Sequence, residues 1–518
     1  METIIDTLTT AATQIVDVVQ ANPYREILMS KTISFSFGSL AMGILGIAVI
    51  IGISWLFSID RKHVDWKLVG KGLLIQFMIA VAVLQVIPQS SLKPVMLVIS
   101  ALVALGVGFL LVKHRASLSL KYIAQVLLAG AMVLLGVWVF FHAAGVFEFL
   151  GKCFVAVLDW TKAGSRFLFG DLMNTSSFGF IFAFQILPTI IFFSALTSLF
   201  FYLGIIQKVV WVLAWLLTKA MRLSGAESLA VAGNIFLGQT EAPLLVKMYI
   251  PAMTRSEVML IMTAGMATMA GGVLAAYIGM LGAGDKLMEL EFAKHLLSAS
   301  VMAAPGAIVI AKILAPQREA INNDMTVSKD KMGKNILDAI SNGATDGLKL
   351  AGNVAAMLLV FYALIAGFNF IVDKVGVWTN LNEVIASATN GQYQGLSLEF
   401  LLGYIFSPVI WLMGVPWADV TSVGQLLGQK LIMTEFIAYQ NMAGMIQEGV
   451  FNSPRSIIMA VYILCGFANF ASVGIQIGGI GGIAPTRRTL LSEFGMRALL
   501  GGTLAALVSA TMVGMFLE

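Results

Sequence analysis

One stretch, GNIFLGQTEAPLLVKMYIPAM from Gly233 to Met253, narrows what this chain can become. Gln239, Thr240 and Glu241 stand between two apolar arms, and Pro243 follows almost at once. A helix entering from Leu229 is expected to stop near Thr240, because proline lacks the N–H and biases its predecessor away from helical angles. Each arm is about ten residues, roughly 15 Å at 1.5 Å per residue, or half of a ~30 Å hydrocarbon core. The expected element is therefore a re-entrant hairpin, two half-helices meeting at a polar tip. Non-helical backbone and a carboxylate at that depth are tolerated only where they line a cavity or find partners. The competing reading, a solvated loop at the membrane surface, fits poorly with so apolar a run.

Composition supports a membrane setting. The 518 residues are 58% hydrophobic and only 12% charged, with a mean hydropathy of +0.90, a balance foreign to a soluble core-and-surface protein. The net charge is +4 and the basic residues are dispersed between apolar runs, so no nucleic-acid partner is expected. Cys153 and Cys465 have no metal-type spacing and read as small apolar fillers. The histidines, His63, His114, His142 and His295, have no ligand-spaced neighbours. The N-terminus, METIIDTL, carries acid where a cleavable signal carries base.

Along the chain, residues 1–38 form an N-terminal extension in which 1–20 suit an interfacial amphipathic helix. Residues 39–163 hold the first transmembrane spans, Leu40–Leu56, Leu73–Ile87, Val95–Val112 and Ile123–Phe141. Gly164–Leu172 is a polar interlude, and residues 164–518 form the larger core. There Phe178–Leu203 is a span with a kink at Pro188, the first hairpin occupies about 227–252, and spans follow at Val258–Leu281, Leu296–Ile310 and Val354–Val372. Leu401–Val415 is apolar but short. A second hairpin at about 420–450 peaks at Thr434-Glu435, and Ile457–Ile477 and Leu499–Phe516 complete the set. With the RKHVDWK loop cytoplasmic, about two thirds of the 32 basic residues fall inside, so the positive-inside rule puts both termini outside an inner (plasma) membrane.

The chain also repeats itself. GQTEA at 238–242 is answered by MTEFIA at 433–438, TRSEVMLIM at 254–262 by PRSIIMAVY at 454–462, and ATMAGGV at 267–273 by ANFASVG at 468–474. Three matches in order, at offsets of 194, 200 and 201 residues, are difficult to ascribe to chance. Three spans separate the hairpins, so the copies are expected to be inverted in the membrane. Each copy also interrupts the span after its hairpin, at Thr268 and Gly271-Gly272 in the first and at Asn469, Ser472 and Gly474 in the second. The expected fold class is an all-α polytopic membrane protein: inverted repeats with two re-entrant helical hairpins and two broken transmembrane helices, the architecture of secondary transporters. Drawn to one depth, Gln239, Glu241, Glu435 and Asn469 offer carboxylates and amides without a basic residue. They suit a neutral ligand rich in hydroxyl and ring-nitrogen groups.

These residues carry a specific resemblance. GNIFLGQTEAPLL, SVMAAPGAIVIAKILAPQ, DGLKLAGNVAAMLL, LMGVPW, GQKLIMTEFIAY and GFANFASVGI stand in the order found in the concentrative nucleoside transporter family, over about residues 164–517. RKHVDWKLVG with its flanking spans resembles that family's beginning. The extended N-terminus and the two extra spans near 95–141 depart from its smaller bacterial members, and Thr434 replaces the asparagine more usual before Glu-Phe.

The resemblance implies sodium-coupled import of a nucleoside by alternating access, in a homotrimer embedded in the lipid bilayer. It implies that Gln239, Thr240 and Glu241 hold the nucleobase between Val273 and Phe467, and that Glu435, Asn469 and Ser472 hold the ribose hydroxyls. It implies a site for sodium, the coupling ion, at Asn234, the Leu237 carbonyl, Thr268 and the Met269 carbonyl. A proton-coupled nucleoside or nucleobase carrier using Glu241 or Glu435 is the alternative within transport, since desolvated carboxylates titrate upward. A channel is another class. An intramembrane enzyme is disfavoured, because no nucleophile has an adjacent base and catalysis does not need an inverted repeat.

Overall fold

The computed structural model describes Leu28 and residues 36–84, 120–178, 181–327 and 333–517. The interfacial helix expected within residues 1–20 and the span expected at Val95–Val112 lie outside the described residues. Within them the chain is helical throughout, without a strand.

Helices α1 (Phe37–Leu56) and α2 (Trp66–Val83) open the described chain, and α3 runs unbroken over Leu120–Phe169. The interlude expected at Gly164–Leu172 is thus mostly helix. No proline interrupts it, and the helix gives way only at Gly170, whose φ of +58° is a conformation glycine adopts at little cost. Next come α4 (Leu187–Tyr202), α5 (Ile205–Met221) and α6 (Gly225–Asn234). The span Phe182–Tyr202 is interrupted at Ile186, just ahead of Pro188. The proline lies in the first turn of α4, where its missing N–H has no helical partner to lose.

The first broken span is α7 (Arg255–Ala267) and α8 (Gly271–Gly282), followed by α9 (Lys286–Leu314) and the 43-residue α10 (Ile336–Trp378). After α11 (Leu381–Ala388) and α12 (Leu398–Leu412), the second hairpin comprises α13 (Val420–Ile432) and α14 (Glu435–Gln447). The second broken span is α15 (Pro454–Leu464) and α16 (Phe470–Ile483), and α17 (Arg488–Gly514) ends the order.

Local sequence sets these boundaries. Ser224 and Glu227 form a capping box at the start of α6, and Thr254 and Glu257 form another at the start of α7. Asp65, Asp285, Asn335, Ser397, Thr434, Ser453 and Asn469 each accept a backbone N–H at the first turn of their helices.

Among the described residues, seven helical segments are long and apolar enough to cross a membrane. They divide by burial. In α9, 94% of the most apolar window is inside the protein, and in the α7–α8 and α17 segments 83%, whereas in α10 the figure is 6%. Helices α7, α9, α15 and α17 therefore pack on one another as the core. Helix α10 lies along α4, with Leu359, Leu364, Phe370 and Trp378 facing outward. Their approach depends on small residues four apart: a Cβ on Gly343 would sit 2.5 Å from Ser198 Cβ, and one on Gly347 2.8 Å from Ile191 Cα.

One buried ion pair ties hairpin to core. Lys312 of α9 meets Glu227 of α6, and its Nζ also donates to Ser256 Oγ at 3.1 Å. Glu227 is fully buried and Lys312 nearly so.

Candidate functional site

The first hairpin departs from the expected pair of half-helices. Its inbound arm, α6, ends at Asn234, six residues before Thr240, and its return arm is a pair of short 3-10 turns, Ala242–Val246 and Ile250–Ala252, rather than an α-helix. Pro243 and Pro251 each stand in the first turn of one of these, removing donors that a continuous helix needs. The tip closes on itself: Leu237 N donates to Gly233 O at 2.9 Å, and Gly238 N donates to Glu241 Oε2 at 2.8 Å. The second hairpin has helices on both sides of a two-residue tip, Met433-Thr434. Thr434 Oγ1 caps α14, a task threonine shares with asparagine.

Both broken spans are interrupted where expected. Between α7 and α8 lie Thr268, Met269 and Ala270; between α15 and α16 lie Cys465 to Asn469. The two breaks touch, since a Cβ on Gly466 (φ +88°) would fall 2.4 Å from the Ala267 carbonyl.

Hairpin tips and breaks enclose a cavity of about 210 Å³, lined by Gln239, Thr240, Glu241, Val273, Glu435, Phe467, Asn469 and Ser472 together with residues of α10. All eight residues singled out for a substrate thus face one space. Glu435 is held at both oxygens, Oε1 accepting from Tyr277 Oη at 3.0 Å and Oε2 from Asn469 Nδ2 at 2.9 Å. Asn469 works in two directions, because its Oδ1 accepts Ser472 N at 2.8 Å and so caps α16. Gln239 of the first hairpin reaches the second broken span, donating from Nε2 to Ser472 Oγ at 3.1 Å. Its Oε1 accepts from Gln476 Nε2, also at 3.1 Å, and Gln476 is anchored in turn on Met262 O at 3.0 Å. Glu241 is the exception: its carboxylate is exposed to the cavity and is held by the tip amide of Gly238. A smaller space of about 90 Å³ continues past it toward Ser198 and Asp346.

Asn234, Leu237, Thr268 and Met269 are all buried. The first hairpin is stitched to the break by Gly271 N, which donates to Phe236 O at 3.0 Å. Thr268 Oγ1 donates to Ala264 O at 2.8 Å, leaving its lone pairs free to accept or coordinate. Asn234 is wholly buried at the end of α6, yet neither its Oδ1 nor its Nδ2 has a partner among the described residues. A buried amide without partners costs free energy, and Gln429 of α13 is buried in the same way.

Tyr277 and Gln476, which hold Glu435 and Gln239, were not singled out from sequence. Gln476 left a signal, an amide within the apolar run GIQIGGIGG, and Tyr277 a weaker one as the lone hydroxyl in LAAYIGML. Leu350, Val354, Met357 and Leu358 of α10 complete the cavity wall and left none.

Three family models match the chain: the N-terminus of Na+ dependent nucleoside transporters over residues 45–92, a nucleoside recognition (Gate) domain over 183–284, and the C-terminus of Na+ dependent nucleoside transporters over 295–514. An uncharacterized transporter of Haemophilus influenzae is 42% identical over 70% of this chain and 83% of its own length. Solute carrier family 28 member 3 of Rattus norvegicus is 39% identical over 74% of this chain and 54% of its own length. Among solved structures, CNTnw in an inward-facing substrate-bound state is 32% identical, with a TM-score of 0.74 over 92% of this chain and 98% of that one. A variant of CNTnw in an outward-facing state superposes equally well, at a TM-score of 0.74. This chain is a multi-pass membrane transporter, not an enzyme, and it belongs to the concentrative nucleoside transporter family.

Proposed function

We propose that this protein imports nucleosides by sodium symport, with the two hairpins and their broken helices moving as one transport unit. The observation that carries the sodium assignment is Asn234, a buried neutral amide with no partner among the described residues; Thr268 and the non-helical backbone of Leu237 and Met269, all buried, would supply the other oxygens. Neutral oxygens from a hairpin tip and an unwound helix are what a hard monovalent cation takes, and none of them has to titrate. An ion there would join the first hairpin to the break between α7 and α8. It would thereby fix Gln239, Thr240 and Glu241 for the nucleobase.

On this reading Gln239 and Thr240 meet the edge of the base, with Glu241 accepting from it and Val273 and Phe467 as its walls. Glu435 accepts from the vicinal ribose hydroxyls, and Asn469 and Ser472 complete that end. The outward apolar face of α10 suits lipid or the centre of a homotrimer. The positive-inside bias supports an inner-membrane protein with both termini outside.

Uptake of labelled uridine and adenosine into proteoliposomes under imposed gradients tests the assignment. Accumulation should follow an inward sodium gradient, and Asn234→Ala should raise the sodium concentration for half-maximal uptake more than it lowers uptake at saturating sodium. Linkage requires sodium and nucleoside to raise each other's affinity by one factor. Accumulation that persists without sodium and follows a proton gradient would overturn it in favour of Glu241 or Glu435 as a proton site.

A further inference from the structure

The inbound helices of the two hairpins end differently. In the first, the inbound hairpin helix ends at Asn234, whose buried amide has no partner among the described residues, and α7 ends at its Thr268 cap. In the second, the inbound helix α13 carries Lys430 two residues before its end, next to the α15 end capped by Cys465. Lys430 is completely buried. Its Nζ donates to Ile463 O at 2.9 Å and to Cys465 O at 2.7 Å, and no described carboxylate lies within ion-pair distance of it. The last carbonyls of a helix lack intrahelical donors and carry the negative end of its dipole, so they form a cation site. A buried ammonium held only by such carbonyls is an unusual expense for a chain to carry.

We propose that Lys430 is a tethered cation, doing permanently for the second hairpin what a bound sodium ion does for the first: joining the hairpin to the break in the following helix. This rests on the sodium reading above for the first repeat. The consequence is a division of labour within the inverted repeat. The ribose end of the site, at Glu435 and Asn469, is held together at all times, and the base end, at Gln239 and Glu241, is assembled only when the ion arrives. The contact between the breaks at Gly466 and Ala267 puts the two joints against each other. A single exchangeable ion then organises both halves.

The test compares Lys430→Ala, Lys430→Met and Lys430→Arg with wild type in proteoliposome uptake of labelled uridine, with and without methylammonium. Lys430→Ala is expected to lose about tenfold to hundredfold in uptake, the scale of two hydrogen bonds to a charged donor. Methylammonium should restore a large part of that, and tetramethylammonium, which has no N–H to donate, should not. Wild-type uptake in Lys430→Ala, or a loss that methylammonium leaves untouched in protein that remains monodisperse, overturns the proposal. If Lys430→Ala does not fold, Arg and Met decide: uptake by Lys430→Arg above that of Lys430→Met supports a required cation, and Met equal to or better than Arg refutes it. Wild type with choline in place of sodium is the separate control. Loss of sodium dependence there strikes the sodium reading, while the Lys430 comparison still reads out on whichever gradient drives uptake.

Discussion

Asn469 holds Glu435 with one end of its amide and the start of α16 with the other, Nδ2 donating to Glu435 Oε2 at 2.9 Å and Oδ1 accepting Ser472 N at 2.8 Å. The second hairpin tip is therefore locked to the second break through one side chain. Any ligand that draws on Glu435 also pulls on the backbone of α16. This makes the ribose end a stiff site, its carboxylate aimed before the substrate enters, so little ordering cost remains at binding.

Glu435→Gln should weaken transport mainly through the sugar. A charge-assisted pair of hydrogen bonds is worth about 1.5–3 kcal/mol, or about tenfold to hundredfold in apparent affinity. Ribonucleosides and their 2′,3′-dideoxy analogues should differ less in the mutant than in wild type. An unchanged preference would remove Glu435 from the sugar site.

Gln476→Leu should act on the base without touching the ligand. It removes the donor to Gln239 Oε1 and the second hydrogen bond at Met262 O, whose helical bond within α7 remains, at a cost of about 1–3 kcal/mol for the stranded Gln239 oxygen. The expected result is a raised KM for uridine with a largely retained maximal rate, read from initial uptake rates. Equal loss of affinity for nucleosides and for free ribose analogues would place the effect elsewhere.

Gly238→Ser should narrow the range of bases. A Cβ at this position comes only within 3.4 Å of Glu241 Oε2, so the tip accommodates it. A serine hydroxyl there lies close enough to compete for that carboxylate and to crowd a bicyclic base. Adenosine and inosine should compete with uridine uptake in wild type and much less in the mutant. Failure of either purine to compete in wild type, or equal competition in wild type and mutant, would contradict this role for Gly238.

Lys312→Ala should be among the most destabilising single changes in the molecule. It leaves Glu227 as a fully buried carboxylate between α6, α7 and α9, and breaking such a pair on one side costs about 3–5 kcal/mol. Thermal unfolding in detergent should show a clear loss. The double replacement Lys312→Met with Glu227→Gln should recover most of it, because no uncompensated charge remains.

The chain announces much of this locally. Burying a carboxylate in an apolar run costs too much to occur without a purpose, so Glu241 and Glu435 mark their hairpins, and Thr268 and Asn469 mark the breaks, through preferences that act over three or four residues. The repeat adds pairing between the copies, because matched sequence folds alike. What only the tertiary structure decides is what meets across the copies. That Gln239 reaches Ser472, that Gln476 and Tyr277 stand behind the binding side chains, and that α10 supplies the cavity wall depend on contacts between residues up to about 240 positions apart. No local preference encodes such contacts. The first hairpin's return arm makes the same point within a shorter stretch: Pro243 and Pro251 forbid an α-helix, yet which non-helical path the arm takes is set by the helices packed around it.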